Sequence, residues 1–133
     1  CEFSLDVRAA DDATRDAAVA DLDAEFARIA ERRGVELSVS QTMRVPCAAC
    51  SPPLMDRLAG SIDAAGLPVL RLASGAGHDA MVMARVTDVC MLFVRCGNGG
   101  ISHNPAETMT AEDADIAARV LLDFLRRTAA DLG

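Results

Sequence analysis

The side chains with the most distinctive chemistry in this chain are two histidines, one strand-borne arginine and five cysteines. His78 sits in Ser74-Gly75-Ala76-Gly77-His78-Asp79-Ala80, a glycine-rich turn expected to lead from a strand into a helix. Glycines there let a ligand approach the backbone, and a helix start offers N–H groups to an anion. A tight turn that simply needs glycine, with a half-exposed His, is the competing reading. His103 lies in Gly99-Gly100-Ile101-Ser102-His103-Asn104-Pro105-Ala106-Glu107, also after an apolar run. In an open α/β sheet ligands gather at the carboxyl ends of strands, so both imidazoles are expected at one sheet edge. Neutral imidazole is a common metal ligand, but two His are too few for a zinc site, and Asp79 or Glu107 would complete one only by coincidence. The same turn fits G-x-G-x-x-A of dinucleotide-binding loops. The acidic residue such a loop requires about 20 residues on is missing from Val94–Asn98.

Arg8 ends the alternating run Phe3-Ser4-Leu5-Asp6-Val7-Arg8 on the polar face, beside Asp6. A guanidinium fork can hold a carboxylate with two hydrogen bonds, and a surface pair with Asp6 is the plainer alternative. Cys47-Ala48-Ala49-Cys50 has the spacing of a redox pair, or of half a zinc site with Cys90 and Cys96. Four unrelated reduced thiols is the simpler account and the one retained.

The elements that must position these residues follow from periodicity. Alternation predicts strands over 3–8 and 35–45, and Val19, Leu22, Phe26 and Ile29 mark one face of a helix between them, with Asp11-Asp12 to cap it and Gly34 to stop it. Pro46–Pro53 is a break, and Ser51 before Pro52 opens a second helix carrying Leu54, Leu58 and Ile62. A short strand over 68–72, a short helix after His78, and an apolar strand over 89–94 buried on both faces come next. A last helix is capped by Thr110 with Asp113 and faces its core with Ile116, Val120, Leu121, Phe124 and Leu125. The fold class is therefore α/β: strand, helix, strand over residues 1–45, then an αβαβα segment over 46–133.

Composition sets bounds on function. Apolar residues are 51% and charged residues 25% of the 133, which fits a folded domain. The net charge of −7 opposes a nucleic-acid surface, and with no Trp, no Tyr and four Phe there is little to stack on bases. No apolar run is long enough to span a membrane and no signal segment is visible, so a cytoplasmic location with reduced thiols is expected. The chain opens at Cys1 inside a predicted strand, and is expected to be a piece of a longer protein.

The segments Leu5–Arg8, Ser74–Ala80 and Gly100–Glu107 occur in an order and spacing that resemble the C-terminal part of the allantoate amidohydrolase, N-carbamoyl-L-amino-acid hydrolase and β-ureidopropionase family. The resemblance covers essentially the whole chain. It implies a two-domain enzyme that hydrolyses a ureido or carbamoyl C–N bond of a small ureido acid, working as a homodimer with two divalent metal ions, zinc or manganese. Residues 1–45 then correspond to the second half of a βαβ-type lid and dimerisation domain, and 46–133 to the last portion of the catalytic domain. Carried over by motif, His103 is a metal ligand, Gly77 and His78 contact substrate with His78 polarising the scissile group, and Arg8 grips the substrate carboxylate. The family's other metal ligands and its catalytic Glu fall outside this sequence, so the 133 residues alone are expected to be inactive and to hold no metal stably. The alternative is a metal-free dimerisation or ligand-binding module of the same fold.

Overall fold

Helix-forming sequence dominates what folds here. A computed structural model describes residues 1–131, so the last two of the 46–133 segment lie outside the described residues. Among the described residues there are four helices: α1 Asp12–Arg33, α2 Pro52–Ala64, α3 Ala80–Met83 and α4 Ala111–Ala130. The chain divides into two compact units, Cys1–Ala48 with Leu72–Met81, and Ala49–Arg71 with Val82–Gly133.

In the first unit α1 is Ala-rich, and alanine is the residue that costs a helix least. Asp11 caps it by accepting from the Thr14 N–H at 2.8 Å. Arg32 and Arg33 sit where the helix dipole is negative, and Gly34 at φ 62° turns the chain out. The N–H of Val35 reaches back to the Ala30 carbonyl, which closes the end. The expected face of Val19, Leu22, Phe26 and Ile29 is half-buried, with Ala30 the one buried residue of the helix. Phe3 meets Phe26 edge-on, ring centroids 6.1 Å apart. At the other end of α1, Arg15 bonds Asp12, Asp16 and the Val45 carbonyl, while the Cys47 N–H donates to Asp12 at 2.9 Å. These contacts pin residues 45–47 to the start of the helix.

In the second unit α2 and α4 pack around Leu58, Val120 and Phe124, with Leu54, Ile62, Leu67, Cys90 and Leu92 against them. Val120 is 3% and Phe124 8% exposed. Burial of each such side chain contributes roughly 1.5–3 kcal/mol. Ser61 is fully buried in α2 with its hydroxyl against the Arg57 carbonyl, and the same hydroxyl first, then Arg127, hold the Asp123 carboxyl of α4 below its usual range. Arg57 also pairs with Asp131 just beyond α4. Thr110 and Asp113 form the expected cap: the Thr110 hydroxyl accepts from the Asp113 N–H at 3.0 Å and donates to its carboxylate at 2.6 Å.

Two expectations need correction. Among the described residues no strand forms, so the segments 3–8, 35–45, 68–72 and 89–94 are extended or irregular chain and not a sheet. Alternation decides which side chains share a face, but a strand exists only when a neighbour supplies the ladder of hydrogen bonds. Phe3 is accordingly 69% exposed, and the run 89–94 is half-buried at best, with Phe93 50% exposed. The second correction is in α4, where Leu121 and Leu125 are exposed and only Val120 and Phe124 are buried. A single partner helix covers a narrower stripe than the five-residue face the pattern suggested.

Candidate functional site

Asp6 and Arg8 are two residues apart on extended chain, which puts both side chains on the same side. Arg8 donates from Nε to Asp6 Oδ1 at 3.0 Å and from Nη2 to Oδ2 at 2.5 Å. Its Nη1 donates to the carbonyl oxygen of Gly75 at 2.7 Å. Hydrogen bonding from Arg8 lowers the Asp6 pKa, and the same contact raises that of Arg8. A guanidinium has five N–H donors. One on Nε, one on Nη1 and one on Nη2 are engaged, which leaves one on each terminal nitrogen. Arg8 is thus both the surface partner of Asp6 and a cation with donors to spare, and its side chain is exposed.

Gly75 belongs to the glycine-rich turn, so one hydrogen bond brings Arg8 to the loop that carries Gly77 and His78. Within the loop the Ser74 hydroxyl accepts from the Ala76 N–H at 3.3 Å. The Ala80 N–H donates to His78 Nδ1 at 3.1 Å. Because that donor is a backbone N–H, Nδ1 must supply the lone pair, and the neutral ring carries its hydrogen on Nε2. His78 is exposed and offers that N–H outward. Gly77 is not at positive φ, and a Cβ there would meet only the Met81 sulfur at an ordinary 3.6 Å. Neither backbone nor packing demands glycine at 77.

His103 belongs to the second unit, on a loop closed by the Gly97 N–H to the Thr108 carbonyl at 2.7 Å. The Asn98 amide donates to the Ala106 carbonyl, and Asn104 Oδ1 accepts from the Ala106 N–H. His103 itself is in the left-handed region at φ 55°, fixed by its N–H donating to Glu107 Oε2 at 2.9 Å. Such a conformation costs a non-glycine residue about 1–2 kcal/mol, and strain of this kind concentrates at functional sites. A cleft of about 450 Å³ borders the loop, lined by Leu92, Phe93, Ser102, Glu107, Thr108 and Met109 among others.

Among the described residues no three His, Cys, Asp or Glu side chains converge as a metal site would require. Nor is Cys47 an activated thiol. Local desolvation by neighbouring atoms first, and the Asp12 carboxylate after it, raise the pKa of this exposed thiol. The sequence offered no signal for the Gly75 carbonyl as a partner of Arg8, since 67 residues separate them.

The comparisons with known proteins point one way. The family described as Peptidase family M20/M25/M40 matches residues 7–127. A protein named probable allantoate deiminase from Oryza sativa subsp. japonica is 36% identical over 97% of this chain and 28% of its own length. An allantoate deiminase from Arabidopsis thaliana is 38% identical over 92% of this chain and 25% of its own. An N-carbamoyl-L-amino-acid amidohydrolase from Pseudomonas sp. (strain NS671) is 33% identical over 93% of this chain and 30% of its own. The chain thus spans about a quarter to a third of the length of the relatives it matches. No solved structure matches it significantly. With the family match running from the residue before Arg8, through the glycine-rich turn and the His103 loop, into α4, this chain belongs to the M20/M25/M40 peptidase family.

Proposed function

We propose that this chain supplies part of the substrate- and metal-binding apparatus of an amidohydrolase that cleaves the ureido or carbamoyl C–N bond of allantoate or an N-carbamoyl amino acid. Arg8 binds the substrate carboxylate through the two N–H donors left on its terminal nitrogens, while Asp6 and the Gly75 carbonyl fix the plane of the fork. Gly77 lets the substrate lie against the backbone. His78, with Nδ1 engaged by Ala80, donates from Nε2 to the oxygen of the scissile group and stabilises the charge that develops there. His103 is one ligand of a divalent metal pair, zinc or manganese, whose other ligands are not among the described residues. The observation that carries this reading is the bond from Arg8 to Gly75, which joins two of its substrate-contacting segments.

In the same reading residues 1–45 are the second half of a lid and dimerisation domain and 46–133 the last portion of an α/β catalytic domain. The segments 3–8, 35–45, 68–72 and 89–94 become strands when other strands supply their ladders. The working form is a cytoplasmic homodimer without nucleic-acid or membrane partners, and no helix among the described residues is long and apolar enough to cross a membrane.

The test is an assay of the product of the natural gene. It should release ammonia from allantoate or free amino acid from an N-carbamoyl amino acid, lose this activity to a chelator, and regain it with zinc or manganese. Residues 1–133 alone should show no turnover. A metal-replete gene product that hydrolyses neither substrate class overturns the proposal and favours a metal-free ligand-binding or dimerisation module.

A further inference from the structure

The spacing of Cys47 and Cys50 invites pairing within the motif, yet the fold sends the two residues to different environments. Cys47 is exposed beside Asp12, its Sγ 3.7 Å from the Ala9 carbonyl oxygen. Cys50 is half-buried at the start of α2, and Cys90 is the one other half-buried cysteine; Cys1, Cys47 and Cys96 are exposed. The N–H of Ser51 donates to the carbonyl oxygen of Val89 at 2.8 Å, so the peptide joining residues 50 and 51 faces the one joining 89 and 90. Standard backbone dimensions then place the Cα atoms of Cys50 and Cys90 at most about 8 Å apart. A disulfide spans roughly 4.4–6.8 Å between Cα atoms, so the pair is within reach of a small adjustment. The Cys90 side chain packs against the Leu58, Val120 and Phe124 cluster. Burial, and then the nearness of Cys50, hold its thiol pKa up.

We propose that Cys50 and Cys90 form a reversible thiol-oxidation site that closes to an intramolecular disulfide in the presence of a small-molecule disulfide of the glutathione type. The Cys50 thiolate attacks one sulfur of the small disulfide. One small thiolate leaves, takes up the proton that Cys50 lost, and a mixed disulfide remains on Cys50. Cys90 then gives up its proton and attacks the Cys50 sulfur, and the second small thiolate departs and takes up that proton. Two protein thiols are oxidised by two electrons, and one small disulfide is reduced to two thiols. Cys50 acts first because burial opposes the Cys90 thiolate. The product ties the start of α2 to the segment beneath the α2–α4 core. This site is independent of the hydrolase reading.

The experiment is incubation of the chain with oxidised glutathione, followed by tryptic mapping without reductant. Val45–Arg57 carries Cys47 and Cys50, and Val86–Arg95 carries Cys90. These two peptides should appear joined, two hydrogens lighter than their sum, and separate again with dithiothreitol. The link should persist in Cys47→Ser and be lost in Cys50→Ser and Cys90→Ser. The parent and Cys47→Ser chains alter neither proposed residue, so a folding defect in the other two variants does not decide the result. Glutathione retained as separate adducts on Cys50 and Cys90, a Cys47–Cys50 link, or a cross-link to Cys90 that survives in Cys50→Ser overturns the proposal.

Discussion

Arg8 and Gly75 are joined by a 2.7 Å hydrogen bond from Nη1 to a carbonyl oxygen, while Asp6 occupies the Nε and Nη2 edge of the same guanidinium. A cation held on two sides keeps its plane when a ligand arrives, and that is what two-point carboxylate recognition requires. Arg8→Lys keeps the charge and loses the fork. In the hydrolase proposed above the loss should be about 1.5–3 kcal/mol, at least about tenfold in kcat/KM. The penalty should shrink on a substrate whose carboxylate is replaced by an amide. Unchanged discrimination between acid and amide would show that Arg8 serves Asp6 alone.

The two histidines should separate by readout. In the metal-dependent hydrolase proposed above, His103→Ala should lose metal and turnover together, while His78→Ala should retain metal and lose turnover. Metal content by elemental analysis beside kcat distinguishes them, and equal metal loss in both would refute the division of roles.

Phe124 and Leu125 are neighbours in α4 with opposite surroundings, one buried against Leu58 and Val120 and one exposed. Phe124→Ala should destabilise the chain by about 3–5 kcal/mol in urea unfolding. Leu125→Ala should change stability by no more than about 0.5 kcal/mol. Similar costs at both positions would mean that α4 buries a wider face than its packing against α2 provides.

Acid should loosen the cap of α4. The Thr110 hydroxyl, and then Arg95, hold the Asp113 carboxyl below its ordinary value. A folded pKa below the unfolded one, about 3.9 for Asp, contributes stability that is present above that unfolded value and lost as pH falls through the folded one. The thermal midpoint should therefore drop between neutral pH and pH of about 3, and the drop should be smaller in Asp113→Asn. An identical drop in parent and variant would assign the acid sensitivity elsewhere.

What the sequence determined by itself was local. Asp11, Gly34, Pro52 and the Thr110–Asp113 pair predicted helix ends that the structure contains, because a cap is made by residues three or four positions apart and needs no distant partner. The motifs around Arg8, His78 and His103 were legible for a related reason: residue types and spacing within a short segment carried the family likeness. Tertiary structure decided everything that depends on a remote neighbour. Phe3, Leu37 and Phe93 alternate or cluster as strand residues should, yet among the described residues no ladder forms around them, since the pattern encodes a face and not the strand that must lie beside it. Leu121 and Leu125 carry the same apolar signal as Val120 and Phe124, and only the position of α2 separates exposed from buried. The same physics joins Arg8 to Gly75 and sets Cys50 beside Cys90 in place of Cys47: chain segments far apart in sequence meet only where packing and backbone hydrogen bonds bring them.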